Sequence, residues 1–155
     1  MALEFDFIGP NDKPALVLLS TPDWLDTAKA TLYELGYKVH ALTSHEEFAS
    51  RFAQVQYQVV ITELMFAAST PGENVSLLNL QRMQMNQRRH ACIVMLGYEF
   101  ETLNAMQAFQ QSVHAVVNPL ELPSLGQIIQ QVVSDTNLML GIYRDTQTRI
   151  IQGKL

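Results

Sequence analysis

Apolar residues in this chain gather in five short runs, at 15–19, 37–42, 57–62, 91–96 and 114–117, with amphipathic stretches between them. Most of the runs are solidly apolar rather than alternating, as strands covered on both faces are. The intervening segments carry helix signals. Thr21-Pro22-Asp23 opens the first, with Thr21 as cap, proline at the first helical position and an acid in the first turn. Leu25, Ala28, Leu32 and Leu35 then share one face, and Gly36 supplies the stop. Ser44-His45-Glu46-Glu47 fits a capping box, with Phe48 and Phe52 one turn apart behind it. Asn74 caps a third helix bearing Leu77, Leu78 and Leu80, and Leu103, Met106, Phe109 and Val113 organise a fourth. Ser124-Leu125-Gly126-Gln127 is a second capping-box match and begins a fifth.

This pattern is (βα)5, an α/β fold, and it implies a doubly wound parallel sheet with right-handed crossovers. The longest candidate loop, 67–74, directly follows Glu63. It reads either as an active-site loop or as a plain strand-to-helix connection. Glu63 itself ends the run Val59-Val60-Ile61-Thr62, where a buried strand surfaces, and in open parallel sheets chemistry collects at the carboxyl ends of strands.

The tail adds one element. Ile129, Val132, Thr136, Met139, Tyr143, Thr146 and Ile150 alternate at spacings of three and four, a heptad seam weakened by its two threonines. Leu138, Leu140 and Ile142 widen the apolar surface beside it. A helix unbroken from Ser124 to Gln152 would run about 43 Å at 1.5 Å per residue and project from a compact domain. In the alternative, Ser134-Asp135 caps a separate helix that folds back.

Composition narrows the chemistry. The 155 residues suit one domain, and with 48% hydrophobic and 16% charged residues the chain is no disordered tract. A net charge of −5 and a single short basic cluster, Arg82 with Gln87-Arg88-Arg89-His90, argue against nucleic acid as partner. Cys92, the one cysteine, lies inside an apolar run and reads as a small core residue. There is no signal peptide and no stretch of bilayer-spanning length, so the expected location is cytoplasmic, with no membrane partner. Gly72 stands alone in its loop, so no glycine-rich phosphate cradle is present. His40, His45, His90 and His114 lack the spacing of a helical zinc site and read as surface or strand-edge residues. No serine occupies a nucleophile elbow, and the methionines at 65, 83, 85, 95 and 106 fit core filling.

Several segments, in order, resemble the receiver domains of bacterial two-component response regulators: ALVLLSTPD, TLYELGYKV, YQVVITELMF, ACIVMLGYE and AVVNPLELPSL. The resemblance covers residues 14–133, leaving 1–13 as an N-terminal extension and 134–155 as a C-terminal helical one. It implies the flavodoxin-like strand order 2-1-3-4-5. It fails, however, at the places where receivers do their chemistry. Leu19 and Ser20 stand where two magnesium-holding acids belong, and Glu63 where the phosphoacceptor aspartate belongs. Gly97 replaces the hydroxyl residue after strand four, Asn118 the lysine, and Ala115 the aromatic switch; Pro119 is kept, with a cis bond before it considered.

Magnesium takes oxygen ligands in near-octahedral geometry and phosphoryl transfer depends on cations, so this cleft is expected to hold neither metal nor cofactor. The expectation is a non-enzymatic, phosphorylation-independent pseudo-receiver that binds protein partners in a signalling pathway, as a homodimer. The resemblance puts association on the face of the fourth and fifth helices, with Met106, Phe109, Val113 and Tyr143 as candidate contact residues. Glu63 is either a constitutive mimic of a phosphorylated aspartate or a solvated strand-end acid bonded to Ser20 or Thr21. Two rivals stand: a small-ligand sensor in the cleft of Ser20, Thr21, Glu63, Gly97 and Asn118, and a flavodoxin-like cofactor binder.

Overall fold

Five parallel strands form one sheet in the order β2-β1-β3-β4-β5. They are β1 (Pro14–Leu18), β2 (Lys38–Ala41), β3 (Val59–Glu63), β4 (Cys92–Leu96) and β5 (Ala115–Val117), in a computed structural model that describes residues 8–69, 71–83 and 91–153. Between and after them run α1 (Pro22–Glu34), α2 (His45–Gln54), α3 (Val75–Arg82), α4 (Ala105–Gln111) and α5 (Leu125–Ile151). The expected order is therefore met, strand by strand.

The strand side chains divide by parity even though the runs are apolar throughout. Val17, Leu19, Ile61, Val94 and Val117 face Ala28 and Leu32 of α1 and Leu125, Ile129 and Val132 of α5. Leu16, Leu18, Val60 and Ile93 face the other way, onto Phe48 of α2 and Leu80 of α3, and Met95 and Val116 meet Leu77 and Ala108. Burying both faces is what makes period-two alternation vanish from the sequence.

Local signals work where the chain is free to obey them. Ser44 accepts from the Glu47 N–H (3.2 Å), as a capping box requires, and Phe48 stacks on Phe52. Asn74 accepts from the Leu77 N–H (3.1 Å). Gly36 takes a φ of 87°, the left-handed turn that ends α1.

Five local expectations are corrected. Ser124 makes no cap hydrogen bond, because α5 grows directly out of a 3-10 turn (Pro119–Ser124) that is capped at its other end by Asn118. No peptide bond among the described residues is cis, so the bond before Pro119 is trans. α4 turns only Ala108 inward: Leu103 and Ser112 both adopt positive φ, which cuts the helix short and rotates Met106 (63% exposed) and Phe109 (80%) outward. Met65 is also exposed, so core filling holds for Met95 but not for Met65 or Met106, and Met85 lies outside the described residues. The histidines divide too. His40 sits on the edge strand yet is buried against Tyr57, while His90 lies outside the described residues.

α5 is one continuous helix, so Ser134 and Asp135 start no separate element. Its first half packs on the sheet and α1; its second half exposes Leu138, Met139, Ile142, Tyr143, Ile150 and Ile151. None of the helices among the described residues is long and apolar enough to cross a membrane.

Candidate functional site

β1, β3, β4 and β5 all deliver their carboxyl ends to one rim of the sheet, the rim where ligands of such folds bind. β3 brings Glu63 there, and the side chain turns back toward the start of α1. Only 6% exposed, its carboxylate accepts three hydrogen bonds. Oε1 takes the N–H of Ser20 and of Thr21 (2.9 Å), and Oε2 takes the Thr21 hydroxyl (2.9 Å). Glu63 thus bonds both residues named for it, but it is buried rather than solvated. Charge-assisted bonds and the positive end of α1 compensate the desolvation of that carboxylate. Thr21, at the N-cap position, accepts from no helix amide with its side chain, which is turned to Glu63 instead.

The loop after β3 is fastened as firmly. Ser20 is exposed, and its hydroxyl accepts from the Ala67 N–H (2.7 Å), where Ala67 holds a φ of 48°. Asn74, fully buried, donates to the carbonyls of Glu63 (3.0 Å) and Leu64 (2.9 Å) while capping α3. His45 lies between Ser76 and Ala67. Its Nδ1 accepts from the Ser76 N–H (3.3 Å) and its Nε2 is 3.2 Å from the Ala67 carbonyl, an arrangement that fits the Nε2–H tautomer. The connection is therefore held at Ala67 and at Asn74, with a short 3-10 turn (Pro71–Glu73) just before Asn74.

The remaining cleft positions serve structure. Leu19 is buried and packs into the layer of α1 and α5, away from the rim. At Gly97 a Cβ would collide with the carboxyl group of Glu99 and come within 3.0 Å of the Phe100 ring, so the space that glycine would leave is filled by a neighbour's side chain. Asn118 ties down the loop after β4: its amide donates to the carbonyls of Phe100 (3.0 Å) and Tyr98 (3.3 Å), and its Oδ1 accepts from the Leu120 N–H (2.9 Å). Its own N–H donates to the Thr102 hydroxyl (3.0 Å). Pro119 is buried at the start of the 3-10 turn. Above the rim Trp24 and Tyr98 meet edge to face at 5.6 Å, joining the start of α1 to the β4–α4 loop.

The geometry brings Ser20, Thr21 and Glu63 together, and holds Gly97 and Asn118 in a separate network around Glu99 and Phe100. Sequence reasoning missed Asn74 as a rim anchor, His45 as a brace and the Trp24–Tyr98 contact. Only Asn74 carried a local signal, and that signal was for its cap. No group of three or more His, Cys, Asp or Glu residues is disposed to hold a metal ion among the described residues.

Of the candidate contact residues, Met106 and Phe109 project from α4, Tyr143 is 46% exposed on α5, and Val113 is half-buried against the core. A cavity of about 440 Å³ opens between α4 and α5, lined by Ala105, Ala108, Val132, Asp135, Thr136 and Met139 among others.

No family model and no curated protein sequence matches the chain. Its likeness to known proteins is structural. A CheY-like response-regulator receiver domain from Methanospirillum hungatei is 14% identical over 83% of this chain and 99% of its own, with a TM-score of 0.63. The receiver domain of a sensor histidine kinase from Pseudomonas aeruginosa, with magnesium coordinated in its active-site cleft, is 17% identical over 79% of this chain and 98% of its own (TM-score 0.60). A fusion carrying a trimeric coiled-coil segment of yeast Spc42 is 15% identical over 95% of this chain and 94% of its own (TM-score 0.62). With the strand order 2-1-3-4-5 and the helices on both faces of the sheet, these neighbours establish that the chain has the fold of the response-regulator receiver domains.

Proposed function

We propose that this chain is a phosphorylation-independent pseudo-receiver: a non-enzymatic, cytoplasmic regulatory module that acts by binding protein, as a homodimer. A receiver-like body, 14–133, carries an N-terminal extension, 1–13, and a C-terminal helical extension, 134–155. The observation that carries the reading is the internal saturation of the cleft. Receiver chemistry needs a free carboxylate, a cation beside it and a mobile hydroxyl and lysine to respond. Here the one acid is spent on Ser20 and Thr21, Leu19 points into the core, and Asn118 is spent on the β4–α4 loop. A metal would have to strip the carboxylate of its donors while finding no second acid beside it.

Partner binding is supported by what lies outside the cleft, namely the exposed Met106 and Phe109 and the apolar second half of α5. The acidic balance of the chain favours protein over nucleic acid. Neither phosphate mimicry nor the two rivals draws support from the geometry. Asn118 and Gly97 offer Glu63 no donor, Glu99 occupies the space a ligand would use, and the β1–α1 amides that would meet a cofactor phosphate already hold Glu63.

The test is direct: incubate the protein with acetyl phosphate and magnesium and read its intact mass. An unchanged mass is expected. A gain of one phosphoryl group at Glu63 would overturn the reading.

A further inference from the structure

We propose that the second half of α5 pairs antiparallel with the same segment of a second copy of this chain, its end seated in the cavity between α4 and α5 of that copy. The inference rests on the self-association proposed above and gives it a geometry.

The starting observation is continuity. The face by which α5 grips its own domain, Leu125, Ile129 and Val132, runs on in the same heptad seam through Met139, Tyr143 and Ile150. There the side chains are 69%, 46% and 56% exposed. Helices keep such stripes covered, and an isolated helical end of this length is marginal in water.

Charge and register select the occupant. With the two helices antiparallel and crossing between Leu140 and Ile142, Met139 meets Tyr143 of the partner subunit and Thr136 meets Thr146 of the partner subunit. Val132, only 7% exposed in its own domain, then lies at the floor of the cavity beneath the partner's Ile150. In that register the flanking positions fall together as well. Asp135 lies beside the partner's Arg149 at both ends of the pair, and Ile142 lies beside the partner's Ile142 at its centre. Both charged residues are exposed, one near each end of the seam. A parallel, in-register pair would instead set Asp135 beside the partner's Leu140 and leave Arg149 without an acid, the mismatch that specifies orientation in paired helices.

The cavity completes the fit. Val132, Asp135, Thr136 and Met139 form its α5 wall, and these are the residues that the antiparallel register sets against the partner's 143–150. Ala105 and Ala108 form the α4 wall, small side chains that leave room for the partner's Ile150 and the partner's Ile151. In this chain Ile151 is 84% exposed.

The full-length protein tests this by analytical ultracentrifugation. Wild type is expected to sediment as a dimer. Asp135→Arg and Arg149→Asp, both at exposed positions, are each expected to weaken dimerisation by about tenfold or more, since each creates two like-charge contacts. Combining them restores opposite charges and returns the affinity to within about threefold of wild type. Under oxidation Ile142→Cys should form an interchain disulfide and Tyr143→Cys should not. A monomeric wild type would overturn the homodimer along with this arrangement. A dimer whose double variant shows no rescue, or which cross-links through Tyr143→Cys instead, would overturn the antiparallel arrangement alone.

Discussion

Thr21 donates twice to Glu63, from its backbone N–H and from its hydroxyl, each at 2.9 Å and each to a different carboxylate oxygen. One residue at the head of α1 thereby fixes the acid at the end of β3. The carboxylate is a structural clamp between two loops. Glu63→Gln keeps one acceptor and loses the charge, and is expected to lower the unfolding free energy by about 1–2 kcal/mol. Glu63→Ala orphans buried donors and is expected to lower it by about 2–4 kcal/mol. Urea denaturation measures both, and the sedimentation of the folded protein is expected to stay unchanged.

Restoring the family's acid alone should not restore its chemistry. Glu63→Asp shortens the side chain by one methylene but leaves Leu19 in the core and Ser20 engaged with Ala67. No phosphoryl group is expected on intact mass after treatment with acetyl phosphate and magnesium.

Gly97 and Glu99 form a pair that a double-mutant cycle can expose. Gly97→Ala drives a methyl group into the Glu99 carboxyl and is expected to lower stability by about 1–3 kcal/mol. Glu99→Ala, at an exposed position, is expected to change it by less than about 0.5 kcal/mol. In combination the loss should shrink, leaving only the contact with the Phe100 ring.

Asn118 ties down the loop after β4. Asn118→Ala removes donors to the carbonyls of Phe100 and Tyr98 and the cap on Leu120, with an expected loss of about 1–3 kcal/mol. Trp24 fluorescence reports the consequence locally. As Tyr98 loosens from its edge-to-face contact, the emission of Trp24 should shift to longer wavelength.

The pH profile has two limbs. Burial pushes the Cys92 thiol above its ordinary value of 9.0, opposed in part by a hydrogen bond to Thr136, and burial together with the nearby Cys92 raises Tyr37. The native state therefore holds protons that the unfolded chain gives up, so this contribution is level below about pH 8 and stability falls as pH rises past about 9. Glu47 shows the opposite sign. The Thr43 N–H and hydroxyl hold its carboxyl below the ordinary 4.5, so its small contribution is present above that value and is lost as pH falls through the lower folded one. Urea midpoints from pH 3 to 10 check both limbs. Cys92→Ala should flatten the alkaline one and Glu47→Gln the acidic one.

What the sequence disclosed depended on whether a segment's own residues decided its conformation. The strands and α1 were legible because apolar runs and the Leu25–Leu35 stripe act locally and then pack as their pattern requires. α4 was not. Leu103, Met106, Phe109 and Val113 have helical spacing, but left-handed residues at 103 and 112 end the helix inside that window, and Ala108 takes the inward place. Ser124 failed as a cap because the preceding turn already supplies the geometry. At the rim, the residues of the expected cleft (Leu19, Ser20, Glu63, Gly97 and Asn118) could be named from the sequence. The destination of Glu63 could not, since a carboxylate reaching from residue 63 to residues 20 and 21 leaves no local periodicity. Sequence named the positions, while structure showed which partners their side chains take.

The long helix has a mechanical corollary. α5 is anchored from its first turns to Thr136, which bonds Cys92, and exposes most of its side chains beyond that point, so it behaves as a rigid arm on a pivot. At 1.5 Å per residue, the tip at Ile151 stands about 22 Å from that pivot, and a tilt of about 10° there sweeps it through roughly 4 Å. A sub-ångström adjustment in the layer shared by α1, α5 and the sheet would be magnified several-fold at the tip, delivering motion to whatever holds that end without any change of charge in the cleft.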